Sequence, residues 1–296
     1  MDGVTVTAVR DHDSAWAWFT VERTNLLTAV DQAVRAGADE HVWRLPWALS
    51  SYLGRTGSWH DWLTSSEVAL AATRRIGDPR AEATVLRVIG RVHTLTGDHP
   101  PAEAALRESL RVFARLADVV GQAHTHQAIS LAHERAGNLD DARFHAERSV
   151  ALAEAAGHEK RVARALNQLG RVRSVLGDHA AALKCCTRAV EVLTRLDDRS
   201  SLADAAESLG RVHHGLGDLV AAIRQYRRAL RIYRDFGDLW SQVEVLRRVA
   251  TAYRDLGRDD HAAQTARSCR AGLRRRGEGR HRRARQAGPV LHPGAG

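Results

Sequence analysis

One spacing of apolar and small positions repeats along the chain with a period of forty residues. Leu49, Ile89, Ile129, Leu169, Leu209 and Val249 are always aliphatic, and each is followed by a small residue: Ser50, Gly90, Ser130, Gly170, Gly210 and Ala250. A second small series runs half a period away, through Ala69, Ser109, Ser149, Ala189, Ala229 and Cys269. A third, Ala102, Ala142, Ala182, Ala222 and Ala262, is interrupted only by Trp62 at the first position of the series. Small residues at fixed places let two helices approach closely while bulkier neighbours fill the grooves. A close contact recurring in every unit gives each unit the same crossing geometry, which is the signature of a solenoid.

The ends of the helices are marked by glycine. Stepping by twenty from Gly37 to Gly277 meets glycine at eleven of thirteen positions, where 23 glycines in 296 residues would give about one. Ala117 and Asp197 are the two exceptions. Glycine suits the position just past a helix, where the backbone turns to positive φ. Asp78, Asp98, Asn138, Asp178, Asp218 and Asp238 follow directly and suit the turn and the next N-cap, and Pro79, Pro100 and Pro101 fall where a helix begins. The spacing predicts helices of about sixteen residues, each about 24 Å long. The expected fold is all-α: an opening helix over 14–36 and six helical hairpins beginning near 41, 81, 121, 161, 201 and 241. Trp16, Trp18 and Phe19 of the opening helix are expected to cap the end of the stack. The expected boundaries are a disordered stretch over 1–13, the solenoid over 14–277 and a basic disordered tail over 278–296.

These positions resemble the tetratricopeptide repeat, most closely at Leu209, Gly210, Ala222, Tyr226 and Ala229 and again at Leu246, Val249, Ala250, Tyr253 and Ala262. His93, His133, Arg173 and His213 stand where that repeat has an aromatic, and forty residues exceed its common length. The segment Trp18-Phe19-Thr20-Val21-Glu22-Arg23-Thr24-Asn25-Leu26 is similar to the stretch that opens the C-terminal repeat region of AfsR-like, SARP-type actinobacterial regulators. In that family DNA-binding and NB-ARC nucleotide-switch domains precede the repeats. The resemblance implies a regulatory TPR-like α-solenoid, either a stand-alone sensor or the remnant of a larger regulator. Neither lysine, Lys160 or Lys184, sits in a G-x-x-x-x-G-K-[S/T] context, so no phosphate-binding loop is expected.

Charge refines the picture. The net charge is +9, but +7 of it falls within 270–285, where eight arginines face a single glutamate. The body is close to neutral, and nucleic acid is an expected partner only through the tail, by salt-dependent backbone contact. No apolar run approaches the length of a membrane span, and the N-terminus lacks the order of a secretory signal, so a cytoplasmic protein is expected. Cys185, Cys186 and Cys269 imply no disulfide framework, and the recurring histidines are too far apart from hairpin to hairpin to share a metal. No nucleophile–base set is present, so no catalytic residue, cofactor or metal is expected.

The expected function is protein interaction. On each first helix, residues spaced i, i+3 and i+7 share a face apart from the aliphatic stripe, and in tetratricopeptide arrays that face lines the concave groove. It would present Arg87 and Arg91, Gln127, Arg164, Asn167 and Arg171, Arg211, and Arg247. Guanidinium forks suit carboxylates and side-chain amides suit an extended backbone, so a protein or peptide partner with an acidic or extended segment is expected.

Overall fold

A computed structural model describes residues 12–270. Its helices are α1 (His12–Arg35), α2 (Asp39–Thr56), α3 (Trp59–Ile76), α4 (Pro79–Thr96), α5 (His99–Arg115), α6 (Val119–Ala136), α7 (Leu139–Ala155), α8 (Glu159–Val175), α9 (His179–Arg195), α10 (Arg199–Gly215), α11 (Leu219–Asp235), α12 (Leu239–Asp255) and α13 (259–270). Among the described residues there is no strand, and the fold is the all-α solenoid. After α1 the helices pair as six hairpins, α2–α3 to α12–α13. The stretches expected to be disordered, 1–13 and 278–296, lie largely or wholly outside the described residues.

The twenty-residue punctuation is a repeated helix-ending turn. Every described position of the series has positive φ, from Gly37 at 66° to Gly257 at 72°, and Ala117 and Asp197 adopt it too. Two backbone hydrogen bonds close each turn: Gly177 N–H donates to Ser174 O at 3.3 Å and Asp178 N–H to Arg173 O at 3.0 Å. This is the Schellman arrangement, which satisfies carbonyls the helix leaves unpaired. The next helix then starts on an aspartate cap. The carboxylates of Asp78, Asp118, Asp178, Asp198, Asp218 and Asp238 each accept an N–H two or three residues on.

The small series mark where paired helices touch. A Cβ built on Gly90 would lie 2.5 Å from Leu106 Cγ and 3.1 Å from Ala102 O; on Gly210 it would lie 2.6 Å from the Tyr226 ring and 3.2 Å from Ala222 O. Gly170 meets Cys186 and Ala182 O in the same way. At the equivalent place Ser130 turns the close approach into a hydrogen bond, its hydroxyl donating to Ala142 O at 2.7 Å. The second small series forms another contact within the hairpin, where Ser109 and Ser149 donate to Ala83 O (2.7 Å) and Ala123 O (2.8 Å). Trp62, the departure from the alanine series, packs against Gly54, where a Cβ would lie 2.9 Å from its ring.

The array curls until its first hairpin meets its fifth and sixth. Arg55 at the end of α2 pairs with Asp238 in the α11–α12 turn at 3.1 Å, hydrogen-bonds Ser200 in α10, and lies over the Phe236 ring at 5.0 Å. Trp59 and Trp240 meet edge to face, 6.2 Å apart. Trp16 of α1 packs on Tyr52 (5.0 Å) and also reaches Gly237, so the opening helix joins the closure as well as covering the end of the stack. Successive first helices face one another along the inner side (α2–α4, α4–α6, α6–α8, α8–α10), and α12 comes back against α2. No helix among the described residues is long and apolar enough to cross a membrane.

Candidate partner-binding channel

The closure bends the concave side of the array, lined by first helices, into a channel-like inner face. Its wall carries two zones of different charge balance.

The first zone is cationic and comes from α4, α6 and α8. Arg87 Nη1 lies 3.2 Å from His124 Nε2. Burial and the surrounding Arg87, Arg161, Arg91 and Arg164 guanidinium groups hold His124 well below the usual imidazole range, so it is neutral and accepts the Arg87 N–H. Burial, then Arg161 and Arg91, brings Arg87 down to about 9. Solvent reaches the Arg91 side chain, yet protein encircles it closely enough that burial lowers its pKa, with Asp204 opposing and Arg55 and Arg164 adding to the shift. Burial and then Arg164 lower Arg161, against a pull from Asp118. Among the described residues no carboxylate lies within ion-pair distance of Arg87, Arg91 or Arg161. Arg87 Nε, Arg161 Nε and Arg161 Nη1 are buried without an acceptor. Arg164 is better provided for, donating to Ser201 Oγ at 2.7 Å and Asp198 Oδ2 at 3.1 Å.

The second zone, from α6, α8, α10 and α12, is balanced. Glu134 pairs with Arg171 and accepts from Gln168 at 2.9 Å. Burial opposes both charges, but the pair outweighs it: Glu134 is lowered and Arg171 raised. Arg248 bridges Glu207 (3.1 Å) and Glu244 (2.9 Å), and Tyr233 donates to Asp204 (2.7 Å) and Glu207 (3.1 Å). Burial first, then Arg171 and Arg248, lowers Arg211, which Glu134 and Glu207 counter.

The residues expected on the concave face therefore divide. Arg87, Arg91 and Arg164 fall in the cationic zone, and Arg171 and Arg211 in the balanced one. Gln127 uses its amide on the neighbouring helix, donating to Arg164 O at 3.1 Å. Asn167 is half-buried with Oδ1 lacking a partner. Arg247 is exposed and pairs within its own helix with Glu244 at 3.3 Å. Arg161 was missed, although it sits one turn before Arg164, and extending the stripe by three residues would have found it. Arg55 acts on Arg91 from neighbouring α2, and it meets Asp238 only through the closure, which no local pattern signals.

Elsewhere the histidines serve packing. His126 Nδ1 lies 2.8 Å from His145 Nδ1, and the His133 ring stacks on His145 at 5.5 Å. Burial, with His145 and Arg148 beside it, takes His126 down to about 4. Among the described residues no group of three His, Cys, Asp or Glu could hold a metal. Cys185 and Cys186 are buried thiols, and burial pushes Cys186 up to about 12.

Comparison with known proteins agrees with this architecture. A family model described as Tetratricopeptide repeat matches residues 161–235, which run from α8 to the end of α11. The regulatory protein AfsR of Streptomyces griseus is 28% identical over 194 residues, covering 64% of this chain but 19% of AfsR. The chain thus spans about a fifth of that relative's length. Among solved structures, BtubC (BKLC) from P. vanneervenii superposes with a TM-score of 0.59 at 20% identity, covering 79% of this chain and 94% of its own. A Rap protein solved in complex with Competence and Sporulation Factor gives 0.67 at 14% identity over 90% of this chain and 75% of its own. With its forty-residue hairpins, Schellman turns and small-residue crossings, the chain has a tetratricopeptide-like repeat fold, matched as such over 161–235, and its array resembles part of AfsR.

Proposed function

We propose that this protein is a non-catalytic interaction module that holds an extended segment of a protein partner inside the channel, within a cytoplasmic regulatory pathway. The observation that carries the reading is the channel itself. First helices from successive hairpins turn polar side chains towards one shared space, and Arg87, Arg161 and Asn167 bring hydrogen-bonding groups without protein partners to it, while Arg91 beside them lies over the Trp62 ring at 5.9 Å. Polar groups left unsatisfied in a folded interior cost stability, so their retention favours a ligand that completes them. The likeness to AfsR supports a regulatory setting of actinobacterial type, and a Rap protein of similar fold was solved in complex with Competence and Sporulation Factor.

A sensing role is a second reading, favoured by the closure. An occupant touching both α4 and α8 would bear on the α2–α12 contact, giving a route from binding to shape. Nucleic-acid contact through the tail concerns residues outside the described part, and nothing in the channel bears on it.

Position-specific photo-crosslinking in the native host tests the main reading. Thr251 is exposed at the channel position equivalent to Arg91, Arg171 and Arg211, whereas Val220 is 59% exposed at the start of α11. A photoreactive residue at 251 should give a discrete adduct with a partner and one at 220 should not. Adducts from 220 alone would refute the channel as the binding surface.

A further inference from the structure

We infer that Arg87, Arg91 and Arg161, with His124 of α6 between α4 and α8, form a site for a doubly charged oxyanion on a partner peptide: a phosphorylated side chain or two adjacent carboxylates. The inference rests on the reading of the channel as the binding surface and adds the chemistry that the occupant must carry.

The argument begins with the contrast between the two zones. In the balanced zone four carboxylates (Glu134, Asp204, Glu207, Glu244) face four guanidinium groups (Arg171, Arg211, Arg247, Arg248), and most are joined by direct contacts. On α4 and α8, Arg87, Arg91 and Arg161 have no carboxylate within ion-pair distance among the described residues, Asp204 and Asp118 acting on Arg91 and Arg161 only from farther off. Arg164 and Lys160 already take up Asp198, at 3.1 and 3.0 Å, and Arg55 takes up Asp238. His124 adds no charge, since it serves as acceptor to Arg87. Burial lowers the affinity of Arg87, Arg91 and Arg161 for their protons, and the neighbouring guanidinium groups, which repel one another, add to it. Strained electrostatics of this kind concentrate at functional sites.

The unmet hydrogen bonds point the same way. Arg87 Nε and Arg161 Nε and Nη1 are donors only, and all lack acceptors. An oxyanion entering between α4 and α8 would supply several acceptors at once, and guanidinium groups bind planar or tetrahedral oxyanions through paired N–H donors. One carboxylate would leave two of the three charges uncompensated, whereas a dianion neutralises most of the excess. Asn167, one turn beyond Arg164, offers an unpartnered Oδ1. An oxyanion alone has no donor for it, but the amide N–H of a peptide backbone does, which favours a group carried on a chain over a free anion.

The test uses fluorescence anisotropy with three labelled hexapeptides that differ only at the centre: Gly-Ser-Glu-Glu-Ser-Gly, the Gln-Gln counterpart, and a version with one phosphoserine. Sodium phosphate serves as the free-anion probe. The Glu-Glu and phosphoserine peptides should bind roughly tenfold or more tightly than the Gln-Gln peptide, and added salt should weaken them. The double variant R87Q/R161Q should bring them to the Gln-Gln level. R107Q, which removes an exposed arginine of α5 already paired with Glu103, should leave them unchanged. Because R87Q/R161Q also removes repulsion, its melting temperature without ligand should equal or exceed the parent's, which separates loss of a site from loss of the fold. Equal binding of acidic peptides by R87Q/R161Q and the parent, or no preference for the dianions, would overturn the inference. Binding of the Gln-Gln peptide in that case would leave the channel reading intact. Binding of sodium phosphate through Arg87 and Arg161 with no peptide binding would overturn the peptide as its carrier. Failure of all probes to bind would also sink the inference, and the channel reading would fall with it only if position 251 gave no crosslink.

Discussion

Ala117 and Asp197 take φ of 50° and 49°, in the left-handed region that ten glycines occupy at the equivalent described positions. A side chain with Cβ is strained there by about 1–2 kcal/mol, partly offset in alanine by its smaller loss of backbone freedom on folding. Ala117→Gly should therefore stabilise the protein by about 0.5–1 kcal/mol, measured as a higher urea midpoint with unchanged slope. Gly157→Ala should act in the opposite direction by about 1 kcal/mol. Nothing lies within 4 Å of the added Cβ at 157, so its cost is conformational and not steric. At this scale the sequence was highly legible. The glycine spacing placed helix ends within a residue or two because it records backbone geometry directly. It could not show that the two non-glycine positions keep that geometry, since there the neighbouring helices impose it against the residue's own preference.

At the scale of the hairpin, the close crossing decides what each pair tolerates. Gly170 packs its bare Cα against Cys186 and the Ala182 carbonyl, and a backbone carbonyl cannot rotate aside as a side chain can. Gly170→Leu should lower stability by roughly 1–3 kcal/mol through overpacking. Ser130→Ala probes the hydrogen-bonded version of the same crossing, where the lost Ala142 partner makes it a useful comparison. An unchanged melting temperature for Gly170→Leu would contradict the crossing geometry. The small-residue series were readable because close approach leaves few residue types to choose from. The inner face was half readable. The i, i+3, i+7 stripe found Arg87, Arg91, Arg164, Arg171 and Arg211, but side-chain spacing says nothing about which partner a neighbouring helix offers. Gln127 bonding to the Arg164 carbonyl, and Arg171 to Glu134, depend on the offset between hairpins.

At the scale of the molecule the governing feature is closure, which a forty-residue period leaves open because it fixes the unit and not the pitch of the stack. The Arg55–Asp238 contact joins residues far apart in sequence, and both side chains are largely buried. Burial raises the Asp238 carboxyl above its ordinary range, its cap on Ser241 and Arg55 opposing, so its ionised form depends on those partners. Arg55→Glu would place a second carboxyl beside Asp238 and remove the donor to Ser200 and the cation over Phe236. Breaking a buried pair while leaving one charge uncompensated costs about 3–5 kcal/mol. Local hairpin packing does not depend on this contact, so the helices should persist while the ends separate. The expected result is near-parental helicity by circular dichroism with a larger radius of gyration by small-angle X-ray scattering. An unchanged radius would mean that the aromatic contacts of Trp16, Trp59 and Trp240 hold the ring without the ion pair. Because Arg55 of neighbouring α2 is one of the charges acting on Arg91, replacing it should also relax the cationic zone. A weaker grip of R55E on the phosphoserine hexapeptide, at unchanged helicity, would tie the shape of the array to what it holds.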